Sequence, residues 1–375
     1  VETMSDRGLA GTAIAVIGAG AVGCALAYRL SQAGARVTVI ETAYPGAGTS
    51  GNSFAWLNAF GKEPRDYWRL NLRSIREHQD LQDELNGSWL VRSGAWHWAD
   101  ADGANYTPNL PATVRQLLAW GSRIDAYSPA EVKAIEPALA FGPDVSEVFL
   151  VHNEGWLQAA LMIQALLTRA KEQYGAEVLR DEVIGLDGPN GVVDTVHLAS
   201  GARLGVDMVV VAAGPRTADI ATLVGSHIPL ELSYGFFAVT APAPTPLRRV
   251  AVGPRLIARP DGGGRVLLGS EEVLSLGRGA SVTADSPEIV RLAAQAQNMM
   301  PDLAGVPVEA MRKGERVVPA DGYPIVGWDT RLDGVYYAVT HSGITLSAAL
   351  GNLVVEDLLS GGSDVLAQYR PSRFN

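Results

Sequence analysis

At 375 residues the chain is longer than one hydrophobic core usually grows, so two domains are expected, and its 47% of apolar residues can fill them. A formal net charge of -10 supplies neither the basic footprint of a nucleic-acid binder nor a polybasic patch for anionic lipid, which leaves a small molecule as the expected partner. The single cysteine, Cys24, excludes an internal disulfide, and the six histidines, none at ligand spacing from another, supply no pattern for a metal.

Val1 to Thr3 stand ahead of Met4 and are set aside from fold reasoning. Residues 12–30 are apolar enough to suggest a membrane span, but glycines at fingerprint spacing and polar flanks predict a buried strand and helix instead. No basic n-region with a cleavage site precedes them, so a cytoplasmic protein is expected.

The first unit is TAIAVIGAGAVGCALAYRLSQAGARVTVIE. A buried strand at Ala13 to Ile17 enters a glycine turn, a helix follows from about Ala21 to Ala33, and a second strand occupies Arg36 to Ile40. Gly18-Ala19-Gly20-Ala21-Val22-Gly23 is thus a G-x-G-x-x-G between strand and helix. Gly18 makes the tight turn, Gly20 lets backbone approach a pyrophosphate, and Gly23 packs helix against strand. The anion would sit at the helix N-terminus beside Ala21 and Val22, where free N–H groups and the helix dipole favour it. Glu41, 18 residues past Gly23, is placed for ribose hydroxyls and would repel a 2′-phosphate. The fingerprint alone does not separate NAD from FAD.

GAGTSGNSFAWLNAF (46–60) adds a second glycine- and serine-rich loop that turns aromatic. Apolar positions between Asp66 and Leu85 recur at a helical period among charges and predict an amphipathic surface helix. WLVRSGAWHWAD alternates as a strand, with Trp89, Trp96 and Trp98 read as core. In SPAEVKAIEPAL, Ser128 is an N-cap, Pro129 the first helical residue and Glu131 the third. A long helix is expected from Gly155 to Tyr174, closed by Gly175, then a meander of short strands ending in the buried run VVVAAG. Strand-like runs fill 229–316 with one helix near Pro287 to Met300, and the chain closes with the strand and turn GVYYAVTHSG and a helix from about Ile344 to Leu359. Nucleotide-type elements at the start, middle and end predict a discontinuous cofactor domain (1–85, 150–225 and 315–375) enclosing a second domain (86–149 and 226–314).

The fingerprint, GTSGNS (48–53), EPAL (136–139), VVVAAGPRT (209–217) and the block ERVVPADGYPIVG…VYYAVTHSGITLSAALG together resemble the D-amino acid oxidase / glycine oxidase / sarcosine oxidase family over nearly the whole chain. The resemblance implies an α/β fold, with a Rossmann-like FAD-binding domain of the glutathione reductase type interleaved with a smaller antiparallel-sheet α+β substrate domain. It also implies oxidation of the C–N bond of an amino acid or secondary amine by hydride transfer to flavin N5, the imine then hydrolysing. Gly18, Gly20, Ala21, Val22 and Gly23 match the pyrophosphate turn, Glu41 the ribose acid, and Thr49, Ser50 and Ser53 the loop running toward the flavin ring. Val183 falls where adenine-contacting backbone lies, and Ala213-Gly214 in the second small-residue motif. His341 to Thr345, with Gly343, Ile344 and Thr345 leading the last helix, match the turn at the flavin's pyrimidine edge, where a helix N-terminus can stabilise developing negative charge. Arg316, five residues before Asp321-Gly322, matches the arginine that pairs with the substrate carboxylate, a task suited to a planar fork of donors.

Departures sharpen the expectations. Asn52 stands where some relatives carry a flavin-linking histidine, and the only cysteine is Cys24, so FAD is expected to be non-covalent. Of the lysines at 62, 133, 171 and 313, none lies in GGGRVLLGSEEV, where an oxygen-activating lysine would be sought, so the re-oxidant is oxygen or another acceptor. Tyr234 replaces a basic residue common before that glycine and is expected in the pocket wall with His341, the latter as a positioned hydrogen-bonding group. Tyr336 and Tyr337 are further candidates to close the pocket, with core packing expected for one. An NAD-dependent dehydrogenase accounts for the N-terminus but not for GTSGNS or the C-terminal block. A flavin-binding subunit of a larger dehydrogenase complex is the other alternative.

Overall fold

Strand Ala13–Ile17 lies between Arg36–Glu41 and Met208–Val211, parallel to both, and helix Ala21–Gln32 makes the crossover between the first two. Glu177–Arg180 extends this sheet on one side and Val335–Val339 on the other, both in parallel, and antiparallel Ile325–Trp328 completes six strands. This computed structural model describes residues 8–100, 109–277 and 280–374; Val1 to Thr3 lie outside them.

Side chains alternate across a strand, so Ala13–Ile17 feeds two cores. Ile14 and Val16 join helices Ala21–Gln32, Ala159–Tyr174, Arg65–Glu84 and Gly343–Ser360 on one face. Ala15 and Ile17 meet the antiparallel meander Val183–Asp187, Thr195–Leu198 and Arg203–Gly205 on the other. Burial on both faces explains why these strands read as continuous apolar runs. Leu26, Leu30, Leu350 and Leu353 are wholly buried between the helices, each contributing about 1.5–3 kcal/mol relative to exposure. Helix Gly343–Ser360 is long and apolar enough to cross a membrane by composition, yet 61% of it is buried inside the fold. The apolar stretch at 12–30 forms the strand and helix its glycines predict.

An eight-stranded sheet stands beside the first, in the order Val308–Pro319, Leu230–Thr240, Val266–Gly269, Leu256–Pro260, Val250–Gly253, Ala95–His97, Val148–Val151, Ile124–Tyr127. It is antiparallel except for the pair Val250–Gly253 and Ala95–His97. Trp89, Trp96 and Trp98 are core residues, as expected. Ser128 and Glu131 form a reciprocal capping box on the helix Pro129–Ile135.

Two expectations need correction. The helix expected from Gly155 begins at Ala159, because Gly155–Leu157 is a strand between Trp56–Leu57 and Leu90–Val91. A Cβ on Gly155 would lie 2.2 Å from the Val91 carbonyl oxygen, so the glycine marks a close strand approach rather than a helix start. Tyr336 and Tyr337 both sit in the core, their hydroxyls donating to Asp357 at 2.6 Å and Asp329 at 2.8 Å, because Val335–Val339 is an inner strand buried on both faces.

Candidate functional site

A cavity of about 1510 Å³ opens at the carboxyl ends of Ala13–Ile17, Arg36–Glu41, Met208–Val211 and Val335–Val339 and runs beneath the eight-stranded sheet to Phe237, Ile257 and Arg316. It exceeds the roughly 300–1,000 Å³ of a drug-sized pocket. Neighbours lie on both sides of Ala13–Ile17, so the cavity begins at the switch point of the parallel sheet, where nucleotides bind in such folds.

The glycine turn is shaped by contact. Gly18 has φ +100°, and a Cβ there would lie 2.6 Å from the Ala212 oxygen. A Cβ on Gly23 would come within 1.9 Å of the Gly18 oxygen, so this residue brings the helix onto the turn and does not itself line the cavity. Gly20 caps the helix without a side chain, and the Ala21 N–H donates to Ser50 Oγ at 3.0 Å. Ala21 and Val22 line the cavity behind it. The Glu41 carboxylate is oriented by the Ala19 and Ala43 N–H groups, both at 3.0 Å.

The second glycine loop folds as one helical turn, Thr49–Asn52, docked on the first. Gly46 N–H donates to Ala19 O at 2.9 Å, and Gly51 N–H to Gly46 O at 3.0 Å, an approach a Cβ on Gly51 would block at 2.4 Å. Thr49, Ser50 and Ser53 all line the cavity. The Thr49 hydroxyl donates to the Glu315 carbonyl and that of Ser53 to the Ser50 carbonyl at 2.9 Å, so their hydrogens hold the loop in place. Val183, Ala213 and Gly214 line the cavity near Asp219 and Leu223.

At the other end, Thr340, His341 and Ser342 lead from Val335–Val339 into the helix Gly343–Ser360, whose first residues Gly343, Ile344 and Thr345 line the wall. Ser342, its N-cap, makes no side-chain capping bond. The start of this helix is pinned by His78, whose Nε2 faces the carbonyls of Ile344 at 2.9 Å and Thr345 at 3.1 Å and must therefore carry the hydrogen. Burial lowers the His78 pKa to about 4. His341, exposed where it lines the cavity, reaches about 4 as well, through desolvation by the surrounding walls and then the positive charges of Lys62 and Arg316, so it is a neutral ring at pH 7.

Arg316 stands on Val308–Pro319 with Nη2 donating to Leu274 O at 2.7 Å, while its buried Nε has no partner. No carboxylate pairs with it among the described residues. Its guanidinium crosses Gly235, where a Cβ would lie 3.4 Å from Nε. In the register, Ser233 faces Arg316 and Tyr234 faces Glu315. Tyr234 therefore projects from the opposite face of the sheet, its hydroxyl donating to the Glu315 carboxylate, and lines the cavity away from Arg316.

Lys62 and Glu154 escaped the sequence reading. Lys62 lines the cavity with its Nζ 3.1 Å from Ser342 Oγ, and the aromatic end of the second glycine loop, Phe54 and Trp56, serves both as cavity wall and as core. Behind them the buried Glu154 accepts from Trp56 Nε1 at 3.1 Å and Phe60 N at 3.2 Å and meets His97 Nε2 at 3.1 Å. Only the fold brings position 62 to the loop at 342. The Cys24 thiol points at Ala19 O, is raised in pKa by burial, and lies off the cavity wall. No metal-ligating cluster occurs among the described residues.

The family model described as FAD dependent oxidoreductase, DAO, matches residues 13–357. An opine oxidase subunit from Agrobacterium tumefaciens strain Ach5 is 26% identical over 382 residues, which cover 96% of this chain and 97% of that protein. Glycine oxidase of Pseudomonas aeruginosa strain PAO1 is 26% identical over 389 residues, covering 98% and 99%. In fold, the crystal structure of glycine oxidase from Geobacillus kaustophilus matches with a TM-score of 0.84 at 23% identity, over 97% of this chain and 99% of that one.

Proposed function

The chain belongs to the DAO family of FAD-dependent oxidoreductases, and from that premise we propose that it oxidises the C–N bond of an amino acid or secondary amine whose carboxylate is held by Arg316. The observation that carries the reading is the buried, unpartnered Nε of Arg316 in the cavity wall, beside a donor set that can grip a carboxylate with two parallel bonds.

The residues present fit the cofactor. Gly18 and Gly20 present bare backbone to the cavity for a pyrophosphate, Glu41 is held ready for ribose, and the uncapped start of Gly343–Ser360 offers N–H groups to an anionic ring edge. FAD, when bound, supplies the two-electron acceptor for the hydride from the substrate's α carbon, and water hydrolyses the imine left behind. Around the reaction, Phe237, Ile257 and Leu274 exclude water. The positive charge of Arg316 disfavours an ammonium nearby and so favours the neutral amine that oxidation requires. His341, neutral at pH 7, orients the substrate by hydrogen bonding rather than by taking its proton. Oxygen or another acceptor completes the cycle, and a cytoplasmic setting accords with this chemistry.

The test is anaerobic: a panel of amino acids and secondary amines is mixed with the yellow, desalted protein and the loss of flavin absorbance followed. If none bleaches the flavin, amine oxidation is wrong; a colourless protein that binds NAD would favour a nicotinamide dehydrogenase. A second reading, the flavin subunit of a larger complex, is favoured by the opine oxidase relative, which is itself one subunit of its enzyme and matches 96% of this chain. Turnover by the chain alone with an artificial acceptor decides against it.

A further inference from the structure

We propose that the substrate carries two carboxylates flanking its secondary amine, an N-(carboxyalkyl) amino acid, with Arg316 holding one and Lys62 the other. This deepens the amine-oxidation reading and rests on it.

Lys62 and Arg316 line one cavity. The Lys62 ammonium reaches Ser342, the residue after His341, and the positive charges of Lys62 and Arg316 both act against a charge on that ring, so this end of the cavity is electropositive. The acidic wall residues Glu41, Asp181, Glu182 and Asp219 belong to the nucleotide end, and the Glu315 carboxylate is taken by Tyr234 on the far face of the sheet. Of the three donors on the Lys62 ammonium, one goes to Ser342 Oγ at 3.1 Å, and no carboxylate lies within ion-pair distance among the described residues. Burial works against its charge, and Glu154 opposes that loss from behind the wall. Glu154 is itself held by Trp56, Phe60 and His97 and is not part of the cavity surface, so it sustains the cation without occupying its ligand side.

A desolvated cation facing a cavity is unfavourable unless an anion comes to it. A substrate with one carboxylate satisfies Arg316 and leaves Lys62 with the Ser342 hydroxyl, the Tyr67 ring face at 5.9 Å and the more distant Glu154, but no anion on its cavity side. A secondary amine with a carboxylate on each arm satisfies both and sets the reacting C–H and nitrogen between the two anchors. In the reaction, a hydride leaves one α carbon for FAD and the nitrogen lone pair forms the C=N bond. Water then adds to that carbon and the C–N bond breaks with the amine as leaving group, giving a 2-oxo acid and an amino acid.

Iminodiacetate and N-methylglycine differ only in the second carboxylate, so the holoenzyme is compared on the two by anaerobic flavin reduction and kcat/KM. The wild type should favour iminodiacetate by about ten- to a hundredfold, the range of one charge-assisted bond. Lys62→Gln should bring the ratio to about one, and Lys62→Arg, which retains the cation, should restore most of it. Glutarate and butyrate, inert isosteres of the pair, should show the same difference in affinity by perturbation of the flavin spectrum. This second measurement decides the matter even where a variant turns over poorly. Reduction by N-methylglycine with no gain from the second carboxylate overturns this inference alone. A ratio unchanged in Lys62→Gln while sulfite affinity of the flavin falls also overturns it, since the lysine would then serve the cofactor. If no amine of any kind reduces the flavin, the underlying reading fails, and equal affinities for glutarate and butyrate would remove the lysine anchor separately.

Discussion

Replacing Arg316 by lysine or methionine tests the carboxylate clamp most directly. Nη2 gives one of its two hydrogens to the Leu274 carbonyl at 2.7 Å, while the buried Nε has no acceptor, so a carboxylate would be met side-on by Nε and the second hydrogen of Nη2. Lysine can offer a single bond where the guanidinium offers two. Loss of one charge-assisted hydrogen bond is about 1.5–3 kcal/mol, or roughly ten- to 150-fold in kcat/KM. Methionine removes both and the charge, and the expected loss exceeds about a hundredfold. The assay is anaerobic flavin reduction at matched flavin content, with N-methylglycine compared against dimethylamine, which lacks the carboxylate. The wild type should distinguish the two strongly and Arg316→Met should treat them nearly alike. A loss of equal size on both amines would show that Arg316 supports the cofactor or the fold instead, and the clamp would have to be abandoned.

Other outcomes follow from contacts already described. Gly23→Ala places a Cβ 1.9 Å from the Gly18 oxygen, so helix and turn must part, and the purified variant should retain little flavin by its ratio of visible to ultraviolet absorbance. His78 has a folded pKa of about 4 against an ordinary value of 6.5, so the unfolded state binds more protons between these values. Its contribution is present above pH 6.5 and is lost as the pH falls toward 4, about 3 kcal/mol in all. Urea unfolding should show this dependence weakened in His78→Gln, and an unchanged pH profile would contradict it. Acid precipitation should release the flavin into the supernatant, because Cys24 is buried off the cavity wall and Asn52 offers no nucleophile. Colour remaining in the pellet would contradict that expectation.

The N-terminal unit was legible because its signals are consecutive: apolar strand, glycine turn, helix and acid occur within about 30 residues, and each constrains the next. The role of the glycines went further than expected, since Gly46 N–H ties the second loop to Ala19 of the first and Gly51 folds that loop onto Gly46 through a backbone approach that a Cβ would block. Gly155 shows the limit of periodicity, because the apolar run after it suits a helix and only its strand partners at 57 and 91 reveal the difference. The tyrosines at 336 and 337 were misjudged for a similar reason: their acidic partners Asp357 and Asp329 are reached through the tertiary fold. Lys62 carries no motif at all. Its proximity to Ser342 spans 280 positions of chain, and its place in the cavity is a property of the packing between Arg65–Glu84 and Gly343–Ser360.

Val308–Pro319, the strand that carries Arg316, is also the outermost member of its sheet. A 12-residue border strand with unused backbone groups invites a foreign strand to add to it. Here the Thr49 hydroxyl takes the Glu315 carbonyl, and Asn52 lies against Gly314, where a Cβ would be 3.7 Å from its oxygen. The loop that follows the nucleotide fingerprint thus shields a surface that would otherwise be adhesive. The eight-stranded sheet expressed without that loop should therefore be prone to self-association through this strand.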